Sequence, residues 1–395
     1  MIIRNGLVLT DSGVFVRGDL VIDENHRIAA VPGVEASAAV SVAESSATVP
    51  GAGTSPGTAA FLPADDEIID AQGLYVLPGL VDVHIHGAVG HDFCDASPQG
   101  LARIAAYLHS NGITSFCPTS MTLPPADLKE IFRSIQGVPA DSAHARILGI
   151  HMEGPFIAPE KKGAQNASHI HAPDIALFRE LNEACGGQIR LITIAPEQPG
   201  SMEFIEALHD TTAISLGHSP AGYEEAKKAF DAGACHATHL FNAMASLHHR
   251  DPGIIGAAAD SPQVMVEVIC DGIHVHPAVI RMIFGLFGPD RVVLISDAMR
   301  AAGMEDGSYE LGGQEVHKCG SRATLADGTL AGSVTNLFGC MQNAVRFGIP
   351  LETAVRAASC NPAKSIGLAD AGRIIPGGEA DLLLVDSNLE LVKVL

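Results

Sequence analysis

The chain has 395 residues, of which 47% are hydrophobic and only 17% are charged, and it contains 41 glycines and 23 prolines. This composition excludes a wholly disordered chain and is typical of a compact enzyme with many tight turns. A barrel of about 250 residues with a smaller companion domain would account for the length. The net charge of −21 argues against a nucleic-acid partner or an anionic membrane surface, because both would be repelled.

The eight cysteines are scattered and form no C-x-x-C pair. The opening residues MIIRNGLVLT lack the long apolar core of a signal peptide, and no apolar run approaches the roughly 18 residues that span a bilayer. We therefore expect reduced thiols and a soluble protein of the cytoplasm.

Residues 1–31 contain short apolar runs broken by glycines, which predicts a β-rich start. Residues 33–66 are mostly Ala, Ser, Gly, Pro and Thr with some acidic residues, so we expect a mobile surface insertion without a functional site. The last segment, from GRIIPGGEADLLLVD onwards, returns to strand-like alternation. A sheet from the first segment alone would be marginal, so the two termini are expected to share one small β-sandwich domain.

From Tyr75 onwards, short runs rich in Val, Ile and Leu alternate with segments of helical period, as in repeated βα units. Eight runs predict strands, at 75–86, 113–118, 147–153, 189–195, 213–218, 235–239, 264–270 and 292–297. Helices are predicted at 97–110 with Ser97 as N-cap, 124–135, 221–232, 277–287 and 334–356. The pattern favours a (β/α)8 barrel of the TIM type at residues 75–365, with residues 1–74 and 366–395 forming the small β domain.

Several of the apolar runs stop at a His, Glu or Asp. These residues are His84 and His86 in VDVHIHG, Glu153 in LGIHMEGP, His218 in ISLGHS, His239 in CHATHLFN and Asp297 in VLISDAM. They should converge, because the carboxyl ends of the strands form one mouth of such a barrel. His84 and His86 lie two apart on a strand, so both imidazoles point to the same side and can bind one divalent ion. Burying so many ionisable groups without a cation would be costly, so the set predicts a metal site.

Other histidines have less specific positions. We expect His151 and His236 to be packed core residues. His248 and His249, beside Arg250, lie either in a solvated turn or in a functional loop. In DGIHVH, which follows another strand end, His274 is the better candidate for a functional residue. The sequence has no G-x-S-x-G elbow, no supported cysteine nucleophile and no P-loop, so we expect metal-activated water as nucleophile and a strand-end carboxylate as base.

Seven segments together resemble the N-acetylglucosamine-6-phosphate deacetylases of the amidohydrolase superfamily. They are LPGLVDVHIHG, HMEGPFIAPEKKGA, LGHS, THLFNAM, HHRDPG, DGIHVHP and SDAMRAAG. The resemblance extends from about residue 68 to residue 386 and leaves out the predicted insertion. EGPF and HLFNAM indicate the deacetylases, whereas GRIIPGGEADLLLVD is shared across the superfamily.

The resemblance implies hydrolysis of the acetamide of N-acetyl-D-glucosamine 6-phosphate, with one or two divalent ions among Zn, Fe, Mn and Co. Glu153, His218 and His239 match metal ligands found across the family. His84 and His86 match the pair that holds a second ion in some members. Asp297, which also lies among the candidate ligands, matches the catalytic aspartate that takes a proton from the water and returns it to the departing amine.

The resemblance also implies contacts with the phosphorylated amino sugar. The matching positions are Ala164, Gln165, Asn242, Ala243, Arg250, His274 and Leu330. Leu330 matches a residue of the acetyl pocket, and the arginine matching Arg250 reaches into the neighbouring subunit's site, which implies a homodimer. Many members have a histidine after KKGA, where this chain has Gln165. Its amide N–H can still donate to a developing oxyanion, but it brings no charge.

Three alternatives remain beside this interpretation. An N-acetylgalactosamine-6-phosphate deacetylase would act on a sugar that differs at one hydroxyl, and the sequence does not reveal the contact to that hydroxyl. A cyclic-amide hydrolase of the dihydroorotase or hydantoinase kind would usually carry a lysine bridging its metals, where this chain has Glu153. A barrel that has lost its chemistry and serves a structural role should have lost ligands or the proton shuttle, and this chain keeps them.

Overall fold

The computed structural model describes residues 1–34, 67–139 and 141–395. Of the insertion predicted at 33–66, residues 35–66 therefore lie outside the described residues. Within the described ranges, no helix has both the length and the apolar character needed to cross a membrane.

The strands and helices alternate along the middle of the chain. The strands are β1 (Ile2–Leu9), β2 (Phe15–Ile22), β3 (Ile28–Ala30), β4 (Ile68–Asp70), β5 (Tyr75–Pro78), β6 (Leu80–Ile85), β7 (Gly87–Ala88), β8 (His91–Asp92), β9 (Ile113–Ser120), β10 (Arg146–Ile147), β11 (Ile150–Glu153), β12 (Ile189–Ile194), β13 (Ala213–Leu216), β14 (His236–Ala237), β15 (Met265–Ile269), β16 (Val292–Ile295), β17 (Gly307–Leu311), β18 (Gln314–Cys319), β19 (Arg322–Thr324), β20 (Leu382–Val385) and β21 (Leu391–Val394). The α-helices are α1 (Pro98–Ser110), α2 (Pro125–Ser134), α3 (Ile175–Ala184), α4 (Ser201–Leu208), α5 (Tyr223–Asp231), α6 (Gly253–Ala259), α7 (Pro277–Phe287), α8 (Leu337–Arg346), α9 (Leu351–Ala358) and α10 (Cys360–Ser365).

The two chain termini share one sheet. Its strand order is β21-β20-β5-β1-β2-β3, and β4 pairs with the first residues of β1. Where the sequence predicts a β-sandwich, the strands form a single hydrogen-bonded sheet, because β1 pairs with β2 on one edge and with β4 and β5 on the other. Ile3, Leu20, Val76 and Leu384 belong to one buried cluster. Residues from both ends of the chain therefore bury each other's apolar surface.

The middle of the chain forms a (β/α)8 barrel, as predicted. Its eight described strands are β6, β9 and β11 to β16, and each pairs in parallel with the next. Backbone hydrogen bonds join the last strand to the first: Asp297 N donates to His84 O, and His86 N donates to Ala298 O, both at 2.9 Å. Residues at the mouth of the barrel therefore form the backbone hydrogen bonds that close it.

The helices pack around the strands because each buries one apolar stripe. In α1, Leu101, Ile104 and Leu108 are buried, and the predicted N-cap Ser97 accepts a hydrogen bond from Gly100 N at 3.0 Å. Phe178 of α3 and Phe204 of α4 lie in the same buried cluster as Ile192 of β12. The single helical stretch predicted at 334–356 is divided into α8 and α9 by Gly348 and Pro350.

The run predicted as one strand at 75–86 forms two strands of different sheets. β5 pairs with β1 and β20, whereas β6 pairs with β9 of the barrel. Gly79 separates them, and a Cβ at this position would lie 2.2 Å from Thr114 Oγ1. The single-strand prediction is wrong. Both halves of the run are equally apolar, so the sequence pattern does not mark the boundary between the two strands. A short antiparallel sheet of β17, β18 and β19 was also not predicted.

The close approach at Gly79 gives a test of this junction. Gly79→Ala should destabilise the protein by about 1–3 kcal/mol, because the added methyl group must push Thr114 away. Gly285→Ala is the matched control, since nothing lies within 4 Å of a Cβ at this position in α7. The control should instead stabilise the helix by about 0.5–1 kcal/mol. Urea unfolding followed by circular dichroism measures both, and equal midpoints would contradict the packing argument.

Candidate metal centre

The six predicted ligands meet at the mouth formed by the carboxyl ends of the barrel strands. His84 lies in β6 and His86 directly after it, Glu153 ends β11, and the other three each follow their strand by two residues. All six residues are buried. His218, His239 and Asp297 have φ values of +48°, +26° and +48°. Non-glycine residues rarely adopt this left-handed backbone, and such strain is typical of functional positions.

Glu153, His218 and His239 form what we call the first triad. Glu153 Oε1 lies 3.1 Å from Nε2 of His218 and 3.1 Å from Nε2 of His239. The two imidazole nitrogens are themselves 3.0 Å apart. One carboxylate oxygen and two ring nitrogens thus face a common point, as ligands of a single ion would.

His84, His86 and Asp297 form the second triad. Asp297 Oδ1 lies 3.5 Å from Nε2 of His84 and 3.2 Å from Nε2 of His86. Glu153 contacts this triad as well, because its Oε1 is 3.4 Å from His84 Nε2 and its Oε2 is 3.4 Å from His86 Nε2. The same carboxylate can therefore serve both triads.

The outward-facing ring nitrogens have acceptors that orient the histidines. His86 Nδ1 lies 3.2 Å from Thr119 O, and His218 Nδ1 lies 2.8 Å from Lys161 O. A carbonyl oxygen can only accept, so each Nδ1 carries a proton, and Nε2 is the ring nitrogen that faces the centre and can bind an ion there. His84 Nε2 is buried and has no hydrogen-bond partner among the described residues. These donors fit a divalent metal ion.

The charges of the cluster lead to the same conclusion. Burial lowers the pKa of His86, but its contacts with Asp297 and Glu153 outweigh burial and raise the pKa to about 10. Burial raises the pKa of Asp297, but the neighbouring charges of His84 and His86 outweigh this and lower it to about 2. The carboxylates therefore attract positive charge into the mouth.

Gln165 contacts Glu153 directly. Its Nε2 donates to Glu153 Oε2 at 2.7 Å, and its Oε1 accepts from Thr122 N at 2.7 Å. The orientation of the amide follows from these partners, because a carboxylate only accepts and a backbone N–H only donates. Sequence reasoning did not reveal this contact. The second amide hydrogen of Gln165 has no acceptor in the described part of the chain.

A cavity of about 350 Å³ opens onto the centre. Its lining includes five of the six predicted ligands and six of the seven predicted substrate contacts: His86, Glu153, His218, His239, Asp297, Ala164, Gln165, Asn242, Ala243, His274 and Leu330. His84 lies fully buried behind them. Leu311 of β17 and Thr329 also line the cavity, and their residue types provided no signal for this role. A larger cavity of about 910 Å³, near His26 and Asp381, contains none of the predicted residues.

The other residues considered in the sequence differ in their positions relative to this cavity. His274 Nδ1 lies 2.7 Å from Asp271 Oδ2, which orients the ring. His151 and His236 are buried and lie within hydrogen-bonding distance of Thr193 and Ser215, as expected of core residues. Arg250 is exposed and is not among the residues lining the cavity of its own described chain.

Comparisons with known proteins identify relatives of this chain. Residues 75–394 match the profile of the Amidohydrolase family. The N-acetylglucosamine-6-phosphate deacetylase of Lysinibacillus sphaericus is 37% identical over 326 residues, which cover 82% of this chain and 84% of that relative. The N-acetylgalactosamine-6-phosphate deacetylase of Escherichia coli O157:H7 is 34% identical over 340 residues, covering 85% of this chain and 90% of that relative. A solved mutant N-acetyl-D-glucosamine-6-phosphate deacetylase of Mycobacterium smegmatis, in complex with N-acetyl-D-glucosamine-6-phosphate, superposes with a TM-score of 0.86 at 34% identity, covering 100% of this chain and 97% of that chain.

The two triads predict a graded loss of metal. His86→Ala removes a ligand of the second triad but leaves Glu153, His218 and His239 in place, so the purified variant should bind fewer ions without losing all of them. His276→Ala is the control, because His276 is exposed and caps α7 instead of facing the centre. Elemental analysis of both proteins measures the metal per chain. Complete loss of metal from His86→Ala would show that the two triads do not bind independently.

Proposed function

The chain belongs to the amidohydrolase family, and from that membership and the geometry of its metal centre we propose that it hydrolyses the acetamide of N-acetyl-D-glucosamine 6-phosphate. The products are D-glucosamine 6-phosphate and acetate. The observation that carries the proposal is the buried pair of triads that share Glu153 beside the cavity. The substrate in this proposal is inferred from the relatives that are named for this reaction.

We assign one or two divalent ions to the two triads, with Zn, Fe, Mn and Co as candidates. Imidazole and carboxylate donors suit all four metals, and the ligands alone do not choose among them. A divalent ion held there would supply Lewis-acid chemistry, which acidifies water and polarises a carbonyl oxygen.

Asp297 is the proposed proton shuttle. Its carboxylate lines the cavity, and its lowered pKa, about 2, leaves it ionised at neutral pH. The carboxylate accepts a proton from the attacking water as the water oxygen bonds to the acetyl carbon. Asp297 then donates that proton to the amine nitrogen as the C–N bond breaks. Oδ1 lies 3.2 Å from His86 Nε2, which holds the carboxylate at the centre.

The cavity residues are proposed to hold the rest of the substrate. Leu330 packs against the acetyl methyl group, and the free amide hydrogen of Gln165 donates to the acetyl oxygen, together with the backbone of Ala164 at the same edge. Backbone groups of Asn242 and Ala243 face the sugar phosphate. His274, oriented by Asp271, directs its other ring nitrogen towards a sugar hydroxyl.

Arg250 is proposed to complete the phosphate site of a neighbouring subunit in a homodimer. Its exposed loop includes Leu247, whose exposure of 43% leaves an apolar side chain for a partner to cover. Because the chain carries a net charge of −21, a guanidinium supplied locally would offset the repulsion of an anionic substrate. We also propose that the reaction takes place in the cytoplasm, since the eight cysteines are free thiols.

Release of acetate tests the function directly. Purified protein of known metal content should release acetate from N-acetylglucosamine 6-phosphate, with N-acetylgalactosamine 6-phosphate measured beside it as the epimeric alternative. Asp297→Asn is the matched control, because the amide has the same shape but cannot accept the water's proton. Its turnover should fall by roughly 10²- to 10⁴-fold at unchanged metal content. Near-normal turnover by a fully metallated Asp297→Asn protein would refute the shuttle, and no acetate from either sugar would refute the function.

The role of Arg250 has a separate kinetic signature. Arg250→Ala should lower kcat/KM for the phosphorylated sugar on the order of ten- to a hundred-fold, mainly through KM, because a charge-assisted contact to phosphate is lost. The unphosphorylated sugar should be hydrolysed as before. Mixing Arg250→Ala chains with Asp297→Asn chains should restore some activity, since a mixed dimer has one site with both groups intact. An unaltered KM would remove the phosphate role, and a raised KM without rescue would keep it but place Arg250 in its own chain's site.

A further inference from the structure

A buried carboxylate lies directly behind the metal centre, away from the cavity. Glu267 is in the middle of β15, its side chain is fully buried, and it is not among the residues that line the cavity in the described chain. It does not follow a strand end, so the pattern that identified the six ligands did not select it.

One oxygen of Glu267 contacts a member of each triad. Its Oε2 accepts from His84 Nδ1 at 2.9 Å and from the backbone N–H of His239 at 3.0 Å. The first contact involves the ring nitrogen opposite the one that faces the centre. The second holds the residue whose backbone has a φ of +26°. Glu267 thus connects the ring of His84 to the strained turn at His239.

These two bonds have a specific consequence for the ligands. A carboxylate accepts and never donates when ionised, so Nδ1 of His84 must carry a proton, and Nε2 is the nitrogen left to bind an ion at the centre. The other oxygen, Oε1, has no hydrogen-bond partner among the described residues and lies 3.7 Å from His236 Nδ1. Both hydrogen bonds that the Glu267 side chain accepts therefore come from residues of the metal centre, His84 and His239.

We propose that Glu267 is a positioning residue that sets the affinity of the second triad for its ion, by fixing the ring of His84. The proposal rests on the proposed function only in requiring that the two triads bind divalent ions. Glu267 touches neither the cavity nor any group placed in contact with the substrate. Its effect should consequently be measurable as metal affinity, independently of turnover.

The proposal is tested by titrating the metal-free full-length protein with cobalt(II). Calorimetry and the visible absorption of the bound ion monitor the titration. Glu267→Gln keeps the size of the side chain and an oxygen acceptor but removes the charge. It should weaken binding of the ion that needs His84 by about 10- to 100-fold, as is usual for the outer partner of a histidine ligand. Glu267→Leu removes both bonds and should weaken binding further. Ser215→Ala is the control, a buried hydroxyl on β13 that contacts His236 and Thr238 but no predicted ligand.

A double-mutant cycle separates positioning from general support of the barrel. If Glu267 acts through His84, then Glu267→Gln should cost little additional cobalt affinity, less than about threefold, in a His84→Ala background. The proposal would be overturned if Glu267→Gln lowered cobalt affinity by the same factor with and without the His84 ring. Wild-type affinity and an unchanged spectrum in Glu267→Gln alone would also overturn it. Acetate release by the wild-type protein is scored separately. Metal binding without hydrolysis would refute the function and leave Glu267 in place, whereas hydrolysis with an unaffected Glu267→Gln affinity would refute only the positioning role.

Discussion

The backbone hydrogen bonds between the carboxyl ends of β6 and β16 are the constraint on which the metal centre depends. Asp297 N donates to His84 O, and His86 N donates to Ala298 O. These atoms belong to residues of the second triad or to their direct neighbour. Closing the barrel and bringing Asp297 to the two histidines are therefore one structural event, and the triad cannot assemble unless the first and last strands meet.

The sequence reveals the side chains of the centre because their placement follows a simple rule. Parallel strands in a barrel end at the same mouth, so a polar residue just after an apolar run has a predictable location. Glu153, His218, His239 and Asp297 all obey this rule. The barrel itself was equally predictable, since its strands are short apolar runs and its helices carry apolar stripes such as that of α1.

The features that the sequence does not reveal depend on contacts between distant residues. Glu267 sits within an apolar strand, and only the fold shows that His84, 183 positions away, donates to it. The split at Gly79 follows from the proximity of Thr114, and no local pattern distinguishes β5 from β6. Leu311 reaches the cavity because the small sheet of β17, β18 and β19 places it there, which residue type cannot indicate.

Gln165 affects how the negative charge of Glu153, the carboxylate that both triads share, is balanced. Its bond to Glu153 Oε2 involves the same oxygen that lies 3.4 Å from His86 Nε2. A neutral amide stabilises the carboxylate without adding charge, so the positive charge that Glu153 requires must come from the ions or from the histidines. A histidine at this position could carry a proton and would compete with a cation for the same carboxylate. Glutamine cannot carry a proton in this way, so it does not compete with a cation. The negative charge of Glu153 is then left to be balanced at the two triads on either side of it.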